Sequence, residues 1–507
     1  MPVKAGEIPL SILNFESGSW AVVNRKGRHW GMASGIAAMI LLPLLGACVL
    51  TQDRLDAALE VPAAYRAAHG PPNAAPPPLD WWRTFHSAEL TDLMQQGQAA
   101  NFSIAVAVAQ IIAADAQARI AGAALLPTIS ATADVQKSQI STAVVGNSVS
   151  AISQPITTTY STALNASYTL DFWGHNAALL RAAEFTAVGT RFAREFVTLT
   201  QLASIANTYF AILEAQDRLE LARKNTQSTE DILKLIQDRF TQGTAAALDV
   251  AQQASLVAIQ RATIPPFVQA VQQNIAALAL LVGRAPAGFS VKGGSMYRLA
   301  IPRVTPGLPS QLLERRPDIR EAEANLASAD ANVDAARTAF FPTISLTGDA
   351  GFESAVLKTV FGPGAAMYTL AAGVTQPIFE GGTLLGQLDL QKGTREELLQ
   401  DYRMAVISAF SGVEQALVAV QQTTLQEQLQ RASVAESRRA YDLSLDKLHQ
   451  GTIDATTLLT VEETLFTQED ALAQVRFARL EAIVTLFQAL GGGWVEERKH
   501  HDTELTH

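Results

Sequence analysis

The sequence predicts a mainly α-helical chain of two tandem repeats, each contributing two strands to a membrane β-barrel and long coiled-coil helices to a helical barrel. Three observations predict it. The segment Ala114-Asp-Ala-Gln-Ala-Arg-Ile-Ala-Gly-Ala-Ala-Leu-Leu-Pro-Thr-Ile-Ser130 returns 215 residues later as Ala329-Asp-Ala-Asn-Val-Asp-Ala-Ala-Arg-Thr-Ala-Phe-Phe-Pro-Thr-Ile-Ser345, and self-similarity on this scale fixes the architecture before any single residue does. Beyond each proline the hydrophobic period changes from helical to two. Each copy then holds about 70 residues without proline, Gly174 to Gly243 and Gly381 to Gly451.

Two later landmarks repeat as well. Phe172-Trp-Gly174 answers Phe379-Glu-Gly381, and Arg239-Phe-Thr-Gln-Gly-Thr244 answers Lys447-Leu-His-Gln-Gly-Thr452, at offsets of 207 to 208 residues. The fall in offset from 215 to 207 means that the first hairpin is about eight residues longer than the second. A net charge of −10 and a pI near 5.4 give no basic footprint for nucleic acid. After residue 50 no uninterrupted apolar run approaches membrane length, so the body is expected to hold no ordinary transmembrane helix.

The N-terminus has the layout of a secretory signal, expected to span residues 1–47. Arg25, Lys26 and Arg28 precede an apolar run from Gly31 to Leu45, followed by Gly46, Ala47 and Cys48, the only cysteine. Leu45-Gly46-Ala47-Cys48 resembles a bacterial lipobox, which implies a covalent lipid on Cys48 and, with Val49 following, sorting to the outer membrane. Some 24 residues precede the charged segment, which leaves open a start downstream of Met1. Cleavage removes four basic and two acidic side chains and leaves the mature chain at −12. With its one cysteine lipidated, it forms no disulfide in the oxidising periplasm.

Residues 48–80 form a lipidated arm, Pro- and Ala-rich from Val61 to Leu79 and expected to be extended. The first repeat, 81–290, opens with a helical stretch from Ser87 to Leu126, broken at Pro127. After a linker, 291–308, the second repeat (309–494) starts with a helix that Ser310 can cap and in which Pro317 can occupy a first turn. It breaks at Pro342. A tail, 495–507, follows.

Four strands are expected: Ile129 to Val135, Tyr160 to Phe172, Ile344 to Phe352 and Tyr368 to Ile378. In the second, Tyr160, Leu164, Ala166, Tyr168, Leu170 and Phe172 share one face, while Ser161, Asn165, Ser167, Thr169 and Asp171 share the other. Such strands suit half of a sandwich or the wall of a membrane barrel. Two strands per half cannot bury a sandwich core. Aromatic residues near strand ends (Phe340, Phe341, Trp173, Phe379, Tyr160) fit an interfacial girdle, and the connections Lys137 to Thr159 and Glu353 to Ala366 are Ser/Thr/Gly-rich. Four strands cannot close a membrane barrel, since single-chain barrels start at about eight. Oligomerisation is then required, and three copies, giving twelve strands, leave an interior wide enough for a channel.

The long stretches carry heptad seams: Phe192, Phe196, Leu199, Ala203, Ala206, Phe210 and Leu213 in the first, Leu399, Tyr402, Val406, Ala409, Val413, Ala416 and Val420 in the second. Each is roughly 100 Å long at 1.5 Å per residue. The return path after each Gly-Thr turn is shorter, so a long helix is expected to pair with two shorter ones stacked end to end. A simple antiparallel coiled-coil hairpin fits the same seam.

Together, Asp80-Trp-Trp-Arg-Thr-Phe85, Leu308-Pro-Ser-Gln-Leu-Leu-Glu-Arg-Arg-Pro-Asp-Ile-Arg320, Ala339-Phe-Phe-Pro-Thr-Ile-Ser345, Gln376-Pro-Ile-Phe-Glu-Gly-Gly382 and Leu486-Phe-Gln-Ala-Leu-Gly-Gly-Gly-Trp494 resemble the NodT-type outer membrane factors, the lipoprotein branch of the TolC-like efflux channels. The resemblance implies a homotrimer with a twelve-stranded barrel in the outer membrane and a twelve-helix barrel across the periplasm. It also implies a periplasmic adaptor and an inner-membrane pump docked at the lower end. By the same resemblance, Arg239, Gly243 and Thr244 with Lys447, Gly451 and Thr452 would form adaptor-docking tips. The competing reading of those turns is an ordinary glycine helix stop.

Beside the tips the family tends to carry gate carboxylates. The first copy keeps one at Asp249, whereas the second reads Leu458-Leu459-Thr460. If the second-copy tips line the pore as in the family, Thr452, Thr456 and Thr460 form polar, uncharged rings with weaker cation preference than an acidic gate. A solvated surface acid fits Asp249 equally. The chain carries no Walker A, Gly-x-Ser-x-Gly or His-Glu-x-x-His motif, and His500 and His501 belong to a solvated tail rather than a metal site. No catalytic residue or cofactor beyond the lipid is therefore expected. The leading reading is an efflux duct for small toxic molecules; a duct serving protein secretion and a lipid-anchored coiled-coil scaffold are the alternatives.

Overall fold

A computed structural model describes residues 59, 61–67, 78–139 and 156–492. Cys48, most of the connection between the first two strands, Trp494 and the tail with His500 and His501 lie outside the described residues. From Pro62 onward the chain forms one compact unit, and the elements below belong to it.

The entry segment folds as a 3-10 turn, Trp81–Phe85, whose aromatic side chains are buried. Trp81 stacks on Phe487 with ring centroids 5.1 Å apart, and Phe85 meets Phe210 at 5.1 Å. Each such ring contributes about 1.5–3 kcal/mol by leaving water. The turn thereby joins the start of the first repeat to the end of the second.

Helix α1 (Ala88–Ala100) starts at Ser87, whose Oγ accepts the Leu90 amide at 3.1 Å. Helix α2 (Phe102–Ala123) follows after a break at Asn101. The single helix expected from Ser87 to Leu126 is therefore two. Asn101 causes the break by turning extended and accepting the amides of Ser103 and Ile104 on its Oδ1, at 2.8 and 3.1 Å. Such a cap is worth about 1 kcal/mol.

The strands are β1 (Thr128–Ser138) and β2 (Thr157–Leu170) in the first copy, β3 (Thr343–Ser354) and β4 (Ala366–Thr375) in the second. They pair antiparallel in sequence order within one sheet. Phe172, Ile378 and Phe379 fall past the strand ends rather than inside them. The β3–β4 connection is folded: Phe352 and Phe361 make an edge-on ring pair at 5.4 Å, and Ser354 and Thr359 share a hydroxyl hydrogen bond of 2.8 Å.

The long helices are α3 (His175–Thr241) and α7 (Thr383–His449), both 67 residues. Their return partners, α4 (Ala247–Leu281) and α8 (Ala455–Ala489), both hold 35. Between the repeats, Val291, Met296 and Leu299 pack into the main core before α5 (Pro309–Arg315) and α6 (Pro317–Thr338). Leu308 rather than Ser310 is the N-cap of α5, because Pro309, lacking an amide hydrogen, takes the first helical position and leaves Ser310 inside the turn. Pro317 opens α6 as expected.

The helices stack end to end through the same device in both copies. Gly283, at φ 70°, lies where a Cβ would come within 2.2 Å of the Ala100 carbonyl oxygen, while Asn101 Nδ2 donates to the Leu281 carbonyl at 2.7 Å. In the second copy Gly491, at φ 69°, faces the Arg315 carbonyl, and Arg316 Nη1 donates to the Ala489 carbonyl at 3.0 Å. α4 thus meets α2, and α8 meets α6. Since α3 packs along both α2 and α4 and along α6 and α8, and α7 packs along α6 and α8, the chain makes four side-by-side columns. Column order is α2/α4, α3, α6/α8, α7.

Heptad positions Leu199, Ala203, Ala206, Phe210 and Leu213 are buried, as are Leu399, Val406, Ala409, Val413 and Ala416. One expectation about hydrophobicity was too strict. By length and composition, Ala88–Ala123, His175–Thr241, Ala247–Leu281 and Thr383–His449 are apolar enough to cross a membrane. Their apolar residues are spread around helices that pack side by side, so no run is uninterrupted although the average is high.

Candidate functional site

Two places in this architecture bear on transport: the sheet and the paired hairpin tips. In the sheet, backbone register decides which side chains share a face. Ile129 pairs with Ala166, Ala131 with Leu164 and Val135 with Tyr160 across β1 and β2. Leu164 pairs with Ala350, Tyr168 with Leu346 and Leu170 with Ile344 across β2 and β3. Leu346 then meets Ala372, Ile344 meets Val374 and Ala350 meets Tyr368 on β4. The large apolar residues of the four strands, Met367 excepted, therefore fall on one face. The other carries Ser130, Asn165, Asp349 and Thr369 in a single row, with Asn165 Nδ2 donating to Thr132 Oγ1 at 3.1 Å. A one-residue slip would interleave the two sets, and the observed register avoids it at every pairing.

Both edge strands, β1 and β4, are exposed along their whole length. Val374 and Leu370 stand on the apolar face of one edge, Ile129 and Val135 on the other, all exposed. Below the strands, Trp173 stacks on Phe341 at 4.9 Å and donates its indole N–H to the Pro342 carbonyl at 2.9 Å. That bond ties the strand–helix junction of one repeat to that of the other.

At the opposite end the two tips are near copies. Gly243, at φ 74°, follows the last residue of α3's terminal turn; its amide donates to Phe240 and the Thr244 amide donates to Arg239, at 3.0 and 2.9 Å. Gly451, at φ 72°, does the same with Leu448 and Lys447 at 2.9 and 3.0 Å. These paired bonds make a Schellman stop, which needs the left-handed conformation that glycine adopts without strain. Thr244 and Thr452 each add a hydroxyl bond to the same carbonyls, at 3.0 and 3.1 Å.

The basic residues differ. Lys447 is exposed. Arg239 reaches across to the other hairpin, where its Nη2 donates to the Leu448 carbonyl and, at 3.3 Å, to that of His449. Those carbonyls end α7, where a cation also meets the negative end of the helix dipole. Arg239 thus joins the two tips within one chain.

The carboxylates serve helix starts. Asp249 Oδ2 accepts the Ala246 amide at 2.9 Å, closing back on the first turn of α4. The second copy does the equivalent job with Asp454, whose Oδ1 accepts the Thr457 amide at 2.8 Å. The hydroxyl and amide of Thr457 hold the Asp454 carboxyl below its ordinary range. Asp454 was missed by the sequence reading, although an aspartate before an apolar run is an N-cap signal. Thr456 and Thr460 are exposed on α8; Thr456 Oγ1 donates to Gln252 on α4 at 3.3 Å, and Thr460 and Thr464 each donate to the carbonyl one turn earlier.

Two buried carboxyl groups carry no mark in the sequence either. Glu427 on α7 accepts from Arg476 and Arg479 on α8, at 3.1 and 2.7 Å, and Arg476 also donates to the Leu299 carbonyl at 3.2 Å. Glu462 on α8 is fully buried, and burial pushes its carboxyl up to about 7. Their sequence contexts are ordinary helical ones, with no spacing that marks burial.

The profile of the outer membrane efflux protein family matches residues 93–284 and 308–492, one segment per repeat. The pyoverdine export outer membrane protein OpmQ of Pseudomonas aeruginosa is 36% identical over 458 residues, covering 90% of this chain and 96% of that protein. The toluene efflux pump outer membrane protein TtgC of Pseudomonas putida is 31% identical over 462 residues, covering 90% and 94%. Among solved structures, the open state of the Neisseria gonorrhoeae MtrE outer membrane channel superposes with a TM-score of 0.77 at 27% identity, over 86% of this chain and 96% of that one. With both repeats matched by the family profile and the four-column, four-strand architecture shared with a solved channel, the chain belongs to the outer membrane efflux protein family and has its TolC-like fold.

Proposed function

We propose that this protein is the outer-membrane duct of a tripartite efflux system, a homotrimer that receives small toxic compounds from an inner-membrane pump and its periplasmic adaptor. The carrying observation is the sheet. Its four strands present one apolar and one polar face, and both edges are open. Unpaired edges must be covered, and a heterologous contact that sets β4 of one copy against β1 of the next closes into a ring. Three copies give twelve strands. The helical columns support the same closure: Phe102, Ile112 and Ile120 on α2 and Leu385, Met404 and Ile407 on α7 are exposed large apolar side chains on the two outermost columns.

Cys48 is the lipid-bearing residue in this reading and anchors the mature chain to the outer membrane. The Gly-Thr tips, with Lys447 exposed beside Gly451 and Thr452, are the adaptor-docking surface. Arg239 in turn holds the tips of one chain together and so favours a closed periplasmic end. Asp249 is a helix cap beside that gate, and the threonine ladder through Thr456 and Thr460 supplies its polar lining.

The relative in Pseudomonas aeruginosa is a pyoverdine export protein, which favours pyoverdine as a second cargo. Deletion of the gene separates the two. Toxic-compound efflux predicts increased accumulation of an apolar fluorescent dye and sensitivity to solvents, restored by the intact gene. Pyoverdine export predicts unchanged dye accumulation and reduced release of pyoverdine into the medium. No change in either would remove the duct reading.

A further inference from the structure

About two turns into α8, Glu462 is wholly buried, at 0% exposure, where the two hairpins meet above their tips. Three other helices surround it. Gln253 on α4, itself buried, donates Nε2 to Glu462 Oε2 at 3.5 Å and to the Thr229 carbonyl on α3 at 3.3 Å. Ser228 on α3 lies near enough to offset a little of the burial, and its hydroxyl shares a 2.9 Å hydrogen bond with Tyr441 Oη on α7. Leu458, Leu465 and Phe466 flank Glu462 on its own helix and belong, with Ile232 and Ile236, to the apolar cluster at this depth.

The other oxygen, Oε1, is buried and has no hydrogen-bond partner among the described residues. Among the described residues, no cation is paired with the group. On α3, Glu230 is paired with Arg261 of α4, and Asp231 lies 3.5 Å from Lys234. On α7, Tyr441 is flanked by Arg438 and Asp442, and Arg438 is bound to Glu469. On α8, Glu463 adds a second negative charge next door. A carboxylate ionised here faces desolvation and repulsion with only weak neutral donors to offset them, whereas the protonated acid is an ordinary polar group.

We propose that Glu462 is a proton-controlled latch on the tips: protonated, it lets the α3/α4 and α7/α8 hairpins pack together; ionised, it drives them apart and opens the periplasmic end. The idea rests on the gate reading above. The sign follows from linkage. A carboxyl raised from its ordinary value to about 7 makes the packed tips most stable in acid, and that stability is lost as pH rises through the interval up to about 7. Across the whole interval the packed-to-separated ratio changes on the order of 100-fold. The periplasmic end would therefore tighten in acid and loosen at neutral to alkaline pH.

The test is conductance of the full-length protein in planar bilayers, with periplasmic-side pH stepped from about 5 to 8.5 across that interval. The wild type is expected to show open probability that rises over the interval below about 7 and levels off above it. Glu462→Gln, isosteric with the protonated acid, should give a flat, mostly closed profile. Glu462→Met, which removes the ionisable group with a different side chain, should be flat as well. A variant that keeps the wild-type pH profile, or a wild type that conducts without pH dependence, overturns the latch while leaving the channel intact. If neither wild type nor any variant conducts, the channel reading itself fails, and the latch falls with it.

Discussion

At the scale of single residues, the most consequential side chain is Arg239. Its position beside a glycine stop and its match to Lys447 suggested a charge offered to a partner. The structure instead turns it onto the carbonyls of Leu448 and His449 in the same chain. Hydrogen bonds from a charged donor contribute about 1.5–3 kcal/mol, so losing them shifts a closed-to-open ratio by roughly 10- to 100-fold. Arg239→Ala is accordingly expected to raise the open probability of the reconstituted channel, with Lys447→Ala leaving it near the wild-type value. Equal effects of the two substitutions in bilayer recordings would contradict the assignment. Sequence alone could not separate the two residues. Both sit at the same place in the repeat, and their difference is a long-range contact across about 210 residues of chain.

The same holds for buried charge. Glu462 and Glu427 stand in helices rich in surface acids, and nothing in their spacing says which carboxylates the neighbouring helices will cover. Asp249, by contrast, was visible as a carboxylate of interest, and the structure gives it a local duty at the α4 start. Capping residues are legible because they act on neighbours in sequence; the partners of Glu462 lie on three other helices.

At the scale of elements, the joints between stacked helices carry a sharper consequence than the tips. Gly243 and Gly283 are both left-handed, and a non-glycine residue in that conformation costs about 1–2 kcal/mol. Around Gly243 nothing lies within 4 Å of an added Cβ, whereas at Gly283 the Ala100 carbonyl oxygen would be 2.2 Å away. Gly283→Ala therefore adds backbone overlap to the conformational cost, and overpacking of that kind costs a further 1–3 kcal/mol, roughly. Thermal unfolding should place Gly283→Ala clearly below Gly243→Ala, and the reverse order would count against the stacked-joint account. The proline break after each pre-strand helix, the strands and the long helices were all readable from period and punctuation. The break at Asn101 is legible only in part: its cap on the Ser103 and Ile104 amides is local, but the side-chain amide that fixes the asparagine there donates to Leu281 and Gln201 on other elements. Helix α4 even runs through Pro265 and Pro266, a pair that local rules assign to a helix end. There α4 packs along α3, with the Arg218 guanidinium 4.6 Å from the Phe267 ring centre, and tertiary packing overrides the local preference.

At the scale of the whole molecule, duplication is what turns a chain with too few strands into part of a closed wall. Two copies of one unit give four columns and four strands, each set with an open edge on either side. The sequence conveys the number of strands and their faces through alternation, and the number of helices through the repeat. It cannot convey which edges remain open, since that depends on strand order; the meander β1-β2-β3-β4 leaves β1 and β4 free. In the proposed head-to-tail ring, the apolar side chains exposed on α2 and α7 become contacts between copies. The most direct check is native mass measurement of the detergent-extracted mature protein. The account predicts one dominant species containing three chains; a monomer or a dimer as the stable species would contradict it.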